Sequence, residues 1–248
     1  MLPLPRFDYL HPSSLNEAVA ALSEFGSDIG ILAGGTDLLV NMKNGLPHPR
    51  TLMSLRDIPG LDTISETGDA TVRIGAAARL SAIADSRIIA DKLPALRQAA
   101  ASVASRTIRN MATIGGNLCL DTRCHYYNQS RIWRASRQPC YKTGGTACHA
   151  VSGSERCHAI NASDTAPVLI ALGALLVIKN TAHEREVPAS TFFSDNGAQH
   201  TRLKPDELLT EIRIPPPRST TKTAFIKLGK RRGIDFADGS IALSMDAG

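Results

Sequence analysis

All five cysteines of this 248-residue chain fall between Cys119 and Cys157, and the long segments on either side contain none. Cys124, Cys140, Cys148 and Cys157 lie 16, 8 and 9 positions apart, with intervals rich in Gly, Ser, Arg, Asn and Gln. Such a composition cannot bury enough apolar surface to order itself, and structureless loops of this length are uncommon inside compact domains. Something other than a local core must hold the segment together. The odd cysteine count argues against a disulfide framework.

The rest of the chain has material for a core. An apolar fraction of 43% and a charged fraction of 21% are ordinary for a globular protein. The opening Met1-Leu-Pro-Leu-Pro-Arg6 lacks the apolar h-region of a signal peptide. The longest apolar run, Ala166–Ile178, is shorter than the roughly 20 residues a bilayer span needs. The expected location is therefore cytoplasmic, where thiols stay reduced. Arginines recur beside the cysteines (Arg123, Arg131, Arg134, Arg137, Arg156), and a second basic group comprises Lys227, Lys230, Arg231 and Arg232. No aromatic stacking ladder accompanies them, which favours a solvated face or an anion site over nucleic acid.

In chain order, Ser14-Leu-Asn-Glu17 reads as a capping box opening a helix through Leu22, ended by Gly26. Ile29–Ala33 and Thr51–Leu55 read as strands around a Gly34-Gly35-Thr36-Asp37 turn. Thr71–Ile74 predicts a strand, and Leu80–Ser86 and Pro94–Ser105 predict helices. A Gly115-Gly116-Asn117 turn then leads into the cysteines. Beyond them, Asp164–Leu172 predicts a helix, and Ala174–Ile178, Leu208–Ile214 and Thr223–Leu228 predict strands. Val187-Pro188 with Thr191–Phe193 reads as a strand end and turn, and the apolar stretch Ser240–Met245 as an element with nothing to pair with.

Two features carry chemistry. The first is the pair of Gly-Gly turns, each behind an apolar strand, where bare N–H groups can approach an anion. Neither has the Gly-x-Gly-x-x-Gly spacing of a dinucleotide Rossmann fold, and ordinary tight turns remain the alternative. The second is the cysteine set. Four thiolates on a metal centre would tie the loop together. Zinc sites usually use paired Cys-x₂₋₄-Cys hooks, absent here, whereas an iron–sulfur cubane tolerates wider spacing. Cys119, between Leu118 and Leu120, reads as a small buried hydrophobe. His125, His149 and His158 each adjoin a cysteine and read as supporting or surface residues.

The strings Ile31-Leu-Ala-Gly-Gly-Thr-Asp-Leu-Leu39, Arg109-Asn-Met-Ala-Thr-Ile-Gly-Gly-Asn117 and Ser163-Asp-Thr-Ala-Pro-Val-Leu-Ile-Ala-Leu-Gly173 resemble the FAD-binding medium subunit of the xanthine oxidase, or molybdenum hydroxylase, family. Glu207–Pro215 and Phe225–Arg232 match it too. The cysteine-bearing insertion resembles the β subunit of 4-hydroxybenzoyl-CoA reductase, whose loop carries a [4Fe–4S] cluster. The implied fold is an α+β, two-subdomain, PCMH-type FAD-binding fold. Residues 1–58 would form an N-terminal αβ subdomain. Residues 59–218 would form the second subdomain, with an iron–sulfur insertion at 119–160, and residues 219–248 would begin an incomplete C-terminal α+β domain.

The resemblance also implies the site. Leu32, Ala33, Gly34, Gly35, Thr36, Asp37 and Leu38 would cradle the FAD pyrophosphate. Thr113, Gly115, Gly116 and Asn117 would form a second flavin loop lined by Val103, with Asp164, Leu208 and Lys227 at further contacts. Cys124, Cys140, Cys148 and Cys157 would ligate the cluster. Substrate chemistry would lie elsewhere, on a molybdopterin-binding large subunit served by a [2Fe–2S] small subunit in a hetero-oligomer. A ferredoxin-like donor would supply electrons for reductive dehydroxylation of 4-hydroxybenzoyl-CoA, a step of aromatic degradation. Two rivals stand beside this: an oxidative molybdenum hydroxylase on another substrate, and a zinc-stabilised binding module without enzymatic activity.

Overall fold

The computed structural model describes residues 3–46, 48–231 and 233–248; Met1, Leu2 and Arg232 of the segments singled out above lie outside them. The chain begins with β1 (Asp8–Leu10), α1 (Leu15–Phe25), β2 (Ile29–Leu32), α2 (Leu38–Lys43) and β3 (Thr51–Ser54). β3 is buried along its whole length because it is the central strand of a parallel sheet ordered β1-β3-β2. α1 packs Ala18, Val19 and Leu22 onto that sheet in one small core with Ile29 and Met53. Ser14 Oγ accepts from the Glu17 N–H at 3.2 Å, as a cap should. The reciprocal arm differs from the capping-box reading, since the Glu17 carboxylate turns to the Ser13 N–H at 2.8 Å.

The chain continues through β4 (Ile64–Glu66), β5 (Val72–Gly75), α3 (Leu80–Asp85), α4 (Arg87–Lys92), α5 (Pro94–Ser102), α6 (Arg106–Arg109) and α7 (Ile114–Leu118). α8 (Arg131–Ala135) lies in the cysteine segment. After it come α9 (Ala166–Ala171), β6 (Leu175–Lys179), β7 (Glu184–Pro188), α10 (Ala189–Phe192) and β8 (Leu208–Ile214). The five strands form an antiparallel sheet ordered β4-β5-β8-β6-β7. Ile74, Leu176 and Ile212 from this sheet meet Leu80, Leu96, Ile114 and Leu169 from the helices in the main core. α5 stops three residues short of the expected Ser105. Val103 is extended, and Ala104 has φ +43°, which breaks the helical ladder.

Two expectations are corrected. Gly115-Gly116-Asn117 is not an open turn but the body of α7, whose first turn is capped by Thr113 Oγ1 accepting from the Gly116 N–H at 3.1 Å. The stretch Ser240–Met245 is not unpaired. It lies in β10 (Gly239–Asp246), antiparallel to β9 (Thr221–Leu228) from Gly239↔Leu228 to Asp246↔Thr221. Phe225 anchors this hairpin in the main core, while Ile226, Leu228, Ile241, Leu243 and Met245 are exposed.

Backbone contact makes the glycines necessary. A Cβ on Gly34 would lie 2.1 Å from the Met111 carbonyl oxygen, and one on Gly115 would lie 2.7 Å from that of Ala76. Gly34→Ala should therefore lower stability by about 1–3 kcal/mol, the usual cost of overpacking against atoms that cannot move aside. Chemical denaturation compared with Gly68→Ala measures it against a glycine whose Cβ would meet nothing within 4 Å and whose φ is not positive.

Candidate functional site

The Gly34 and Gly115 contacts bring the loop after β2 and the start of α7 to one cavity of about 880 Å³. This lies within the roughly 300–1,000 Å³ of small-molecule sites. One wall runs from Ala33 through Leu38. Gly35 holds φ +70°, which a residue with a side chain would resist. The N–H groups of Gly34, Gly35, Thr36, Asp37 and Leu38 have no acceptor among the described residues. They form a row of free donors suited to an anion or a chain of ligand oxygens. Leu32 is not on the wall; its side chain packs beneath Gly35.

The opposite wall contains Val103, Thr113, Gly115, Gly116, Asn117, Asp164 and Leu208. Asn117 Oδ1 accepts from Ser163 Oγ at 2.8 Å, the Thr165 N–H at 3.2 Å and Thr165 Oγ1 at 2.7 Å. A backbone N–H can only donate, so the amide orientation is fixed with Oδ1 inward. Its NH₂ has no protein acceptor among the described residues and belongs to the cavity side. Lys227 is behind the wall. It donates to Asp164 Oδ2 at 2.6 Å, the Asp235 carbonyl at 2.9 Å and the Ser102 carbonyl at 3.3 Å, tying the hairpin to the cavity. Burial raises the Asp164 carboxyl pKa, opposed by Lys227.

Several cavity residues escaped the sequence reading. Asp121 and Arg123, at the base of the cysteine segment, face the first glycine loop, and Arg231, Ile234, Asp235 and Phe236 come from the β9–β10 connection. Ile234 holds φ +52° and its N–H donates to the carbonyl of Ala104, itself at φ +43°. A β-branched residue in that region is strained, and such strain collects at functional sites. No local motif marks it. The positive φ arises only when the hairpin connection meets the end of α5.

The cysteine segment leaves the fold through one narrow base. Arg123 and Ile160 exchange both backbone hydrogen bonds, at 2.8 and 2.9 Å. Above this bridge Tyr127 is buried, with the Lys142 ammonium 4.1 Å and the Arg134 guanidinium 6.0 Å from its ring centre. Lys142 is anchored in turn by Asp121 Oδ1 at 2.5 Å and Thr122 Oγ1 at 2.9 Å.

All five cysteines are free thiols. Burial pushes Cys119 up to about 12, and it packs on the main core beside the cavity, as a small hydrophobe should. Cys157 is buried and also raised, by desolvation and by the neighbouring Cys148 and Cys124. Desolvation opposes ionisation of Cys148, but the N–H groups of His158, Val151 and Ala150 outweigh it and lower its pKa. Cys124 caps a turn through its N–H to Asn128 Oδ1 at 2.8 Å, and the Cys140 N–H donates to Thr143 Oγ1 at 2.9 Å. Among the described residues, no three His, Cys, Asp or Glu side chains are gathered as a preformed metal site. His149 Nε2 bonds the Gln138 carbonyl at 2.7 Å and His158 Nε2 bonds Ser154 Oγ at 2.7 Å.

Comparison with known proteins gives the cavity its class. Residues 5–217 match the family described as the FAD binding domain in molybdopterin dehydrogenase. The carbon monoxide dehydrogenase medium chain of Hydrogenophaga pseudoflava is 33% identical over 99% of this chain and 70% of its own length. The caffeine dehydrogenase subunit beta of Pseudomonas sp. strain CBB1 is 31% identical over 97% of this chain and 68% of its own. The solved reconstituted CO dehydrogenase from Oligotropha carboxidovorans superposes with a TM-score of 0.78 at 31% identity, over 100% of this chain and 72% of that one. The chain thus belongs to the FAD-binding domain family of molybdopterin dehydrogenases, with its α+β PCMH-type fold. Within the wider molybdenum hydroxylase family it is an FAD-binding medium subunit, a component of an oxidoreductase.

The cavity fits FAD on its own chemistry: free backbone donors on one wall and a pre-aimed amide on the other, with Gly34 and Gly115 letting the elements that carry them pack closely. Asn117→Asp keeps the three inward bonds but replaces the outward NH₂ by oxygen. It should melt near the unaltered chain while losing flavin. Asn117→Ala should lose both, with at least about 2 kcal/mol of stability, because buried donors go unsatisfied. Thermal unfolding and flavin content measure the two separately. In the metal-free chain, iodoacetamide at neutral pH should label Cys148 well before Cys119 or Cys157, since the thiolate is the nucleophile; peptide mass spectrometry gives the order.

Proposed function

We propose that this chain is the FAD-carrying electron-transfer subunit of a hetero-oligomeric molybdenum enzyme, and that its cysteine insertion holds a [4Fe–4S] cluster. The observation that carries the reading is the cavity formed by two glycine segments, with a row of free N–H groups opposite the fixed Asn117 amide. Bound FAD would supply interconversion between two-electron and one-electron steps, while the protein holds and orients it. In this reading Ala33–Leu38 receive the pyrophosphate, and Thr113, Gly115, Gly116 and Asn117 receive the flavin half. Asp164 and Leu208 complete that wall, with Lys227 acting through Asp164. In this reading residues 1–58 and 59–218 are the two FAD-binding units, and residues 219–248 belong to a separate C-terminal part that contributes the β9–β10 hairpin.

For the cluster, the donor set fits in kind. Cys124, Cys140, Cys148 and Cys157 are unpaired thiols on one stapled loop, and Cys148 and Cys124 lie close enough to Cys157 to help raise its pKa. They are not gathered in advance, so loading would close the insertion around the metal, as metal binding commonly couples to folding. Partners would be a molybdopterin-binding large subunit and a [2Fe–2S] small subunit, in the cytoplasm. No helix among the described residues is long and apolar enough to cross a membrane.

The substrate separates two readings. The four-cysteine insertion favours reductive dehydroxylation of 4-hydroxybenzoyl-CoA with electrons from a ferredoxin-like donor. The relatives named carbon monoxide dehydrogenase and caffeine dehydrogenase favour the medium subunit of an oxidative hydroxylase at least as well. Purified anaerobically, the chain should carry flavin together with iron and acid-labile sulfide in equal amounts. Zinc in place of iron would remove the cluster, and a flavin-free colourless protein would remove both redox centres. Assays of the assembled complex then choose the direction, since hydroxylation without dehydroxylation would exclude the reductase.

A further inference from the structure

Arg123 lies near the start of the cysteine insertion in sequence, yet its side chain ends at the first glycine loop. The guanidinium pairs with Asp37 Oδ1 through Nη2, and Nη1 donates to Asn41 Oδ1 at 3.1 Å. Asn41 Nδ2 in turn donates to Asp37 Oδ2 at 3.2 Å, and that oxygen also accepts the Asp121 N–H at 3.2 Å. The same guanidinium lies 5.0 Å from the Phe236 ring centre, on the connection that borders the cavity. Arg123 Nε is buried without an acceptor among the described residues, so Asp37 and Asn41 are its polar anchors. Its backbone, meanwhile, forms the bridge to Ile160 that closes the insertion. One residue thus takes its backbone position from the insertion and delivers its charge to the loop with the free N–H groups.

Electrostatics gives that connection a consequence. Asp37 is a carboxylate in a loop whose free donors suit an anion. Without a cation beside it, a half-buried carboxylate would repel the anionic part of a ligand across a short, poorly screened distance. Arg123 cancels that charge and at the same time fixes the loop. We propose that Arg123 is a positioning residue for FAD. It neutralises Asp37 and couples the order of the cysteine insertion to occupancy of the flavin cavity. The inference rests on the FAD reading of the cavity and is independent of which metal the cysteines hold.

Linkage is reciprocal, so the coupling can be read from either end. With the full chain, FAD titrated by flavin fluorescence should bind at least about tenfold more weakly to Arg123→Met, and within a few-fold of normal to Arg123→Lys. Arg123→Met combined with Asp37→Asn should bind better than Arg123→Met alone, because the uncompensated charge has gone. From the other end, saturating FAD should slow tryptic cleavage at the exposed Arg131 and Arg137 in the unaltered chain but not in Arg123→Met. Unchanged affinity in Arg123→Met, additive losses in the double variant, or equal protection by FAD with and without Arg123 would each overturn the proposal. Should Arg123→Met fail to fold by circular dichroism, Arg123→Gln takes its place with the same expectations. Failure of the unaltered chain to take up FAD would strike the flavin reading itself and not the linkage.

Discussion

The structure depends on two places where bare backbone meets bare backbone. Gly34 touches the carbonyl of Met111, just ahead of α7, and Gly115 in α7 touches the carbonyl of Ala76, just beyond β5. The first contact joins the parallel sheet to the helical layer; the second joins that layer to the antiparallel sheet. Neither sheet makes the cavity alone, because each contributes one wall. Glycine at both points costs chain entropy on folding, and the return is an approach no side chain would allow. The Gly115 N–H is spent on the Ala76 carbonyl at 2.8 Å, so the free peptide N–H groups are those of the Gly34 loop.

Around that frame, polar groups are held in one orientation. Ser163 and Thr165 together spend three donors on one oxygen of Asn117, which decides what Asn117 presents to the cavity. Lys227 reaches across from β9 to Asp164 and two carbonyls, fastening the hairpin at the cavity edge. Glu207, beside Leu208, is buried against a two-pronged bond from Arg185, at 2.8 and 2.7 Å, which lowers its pKa and locks the start of β8. These bonds fix the groups around the cavity from the protein side, as preorganised sites require.

Periodicity in the sequence located most of the frame. Leu15, Val19 and Leu22 marked α1, and the apolar runs at Ile29, Thr51 and Leu208 marked strands that the structure contains. It failed where structure comes from non-local partners. The pairing of β10 could not be read, because its partner lies across a ten-residue connection and its alternation is weak on an exposed face. The helix at Ile114–Leu118 was hidden because two glycines make a poor helix former, and only the Thr113 cap and the packing of Gly115 on Ala76 sustain it. Arg123 was legible only as one of several arginines near cysteines. That it reaches Asp37 follows from the fold of the insertion base.

The insertion shows why polar composition did not preclude order at its base. Loop-closure cost grows only slowly with length, so a long excursion between Arg123 and Ile160 adds little once its ends are held two hydrogen bonds apart. Above the base, Tyr127 takes the part of a core residue. Cations on its ring replace apolar neighbours, and Lys142 is held there by oxygens of Asp121 and Thr122. This arrangement fixes the lower part of the loop from below, and the Cys157 carbonyl, accepting the Gly197 N–H at 2.9 Å, ties its far end to the fold.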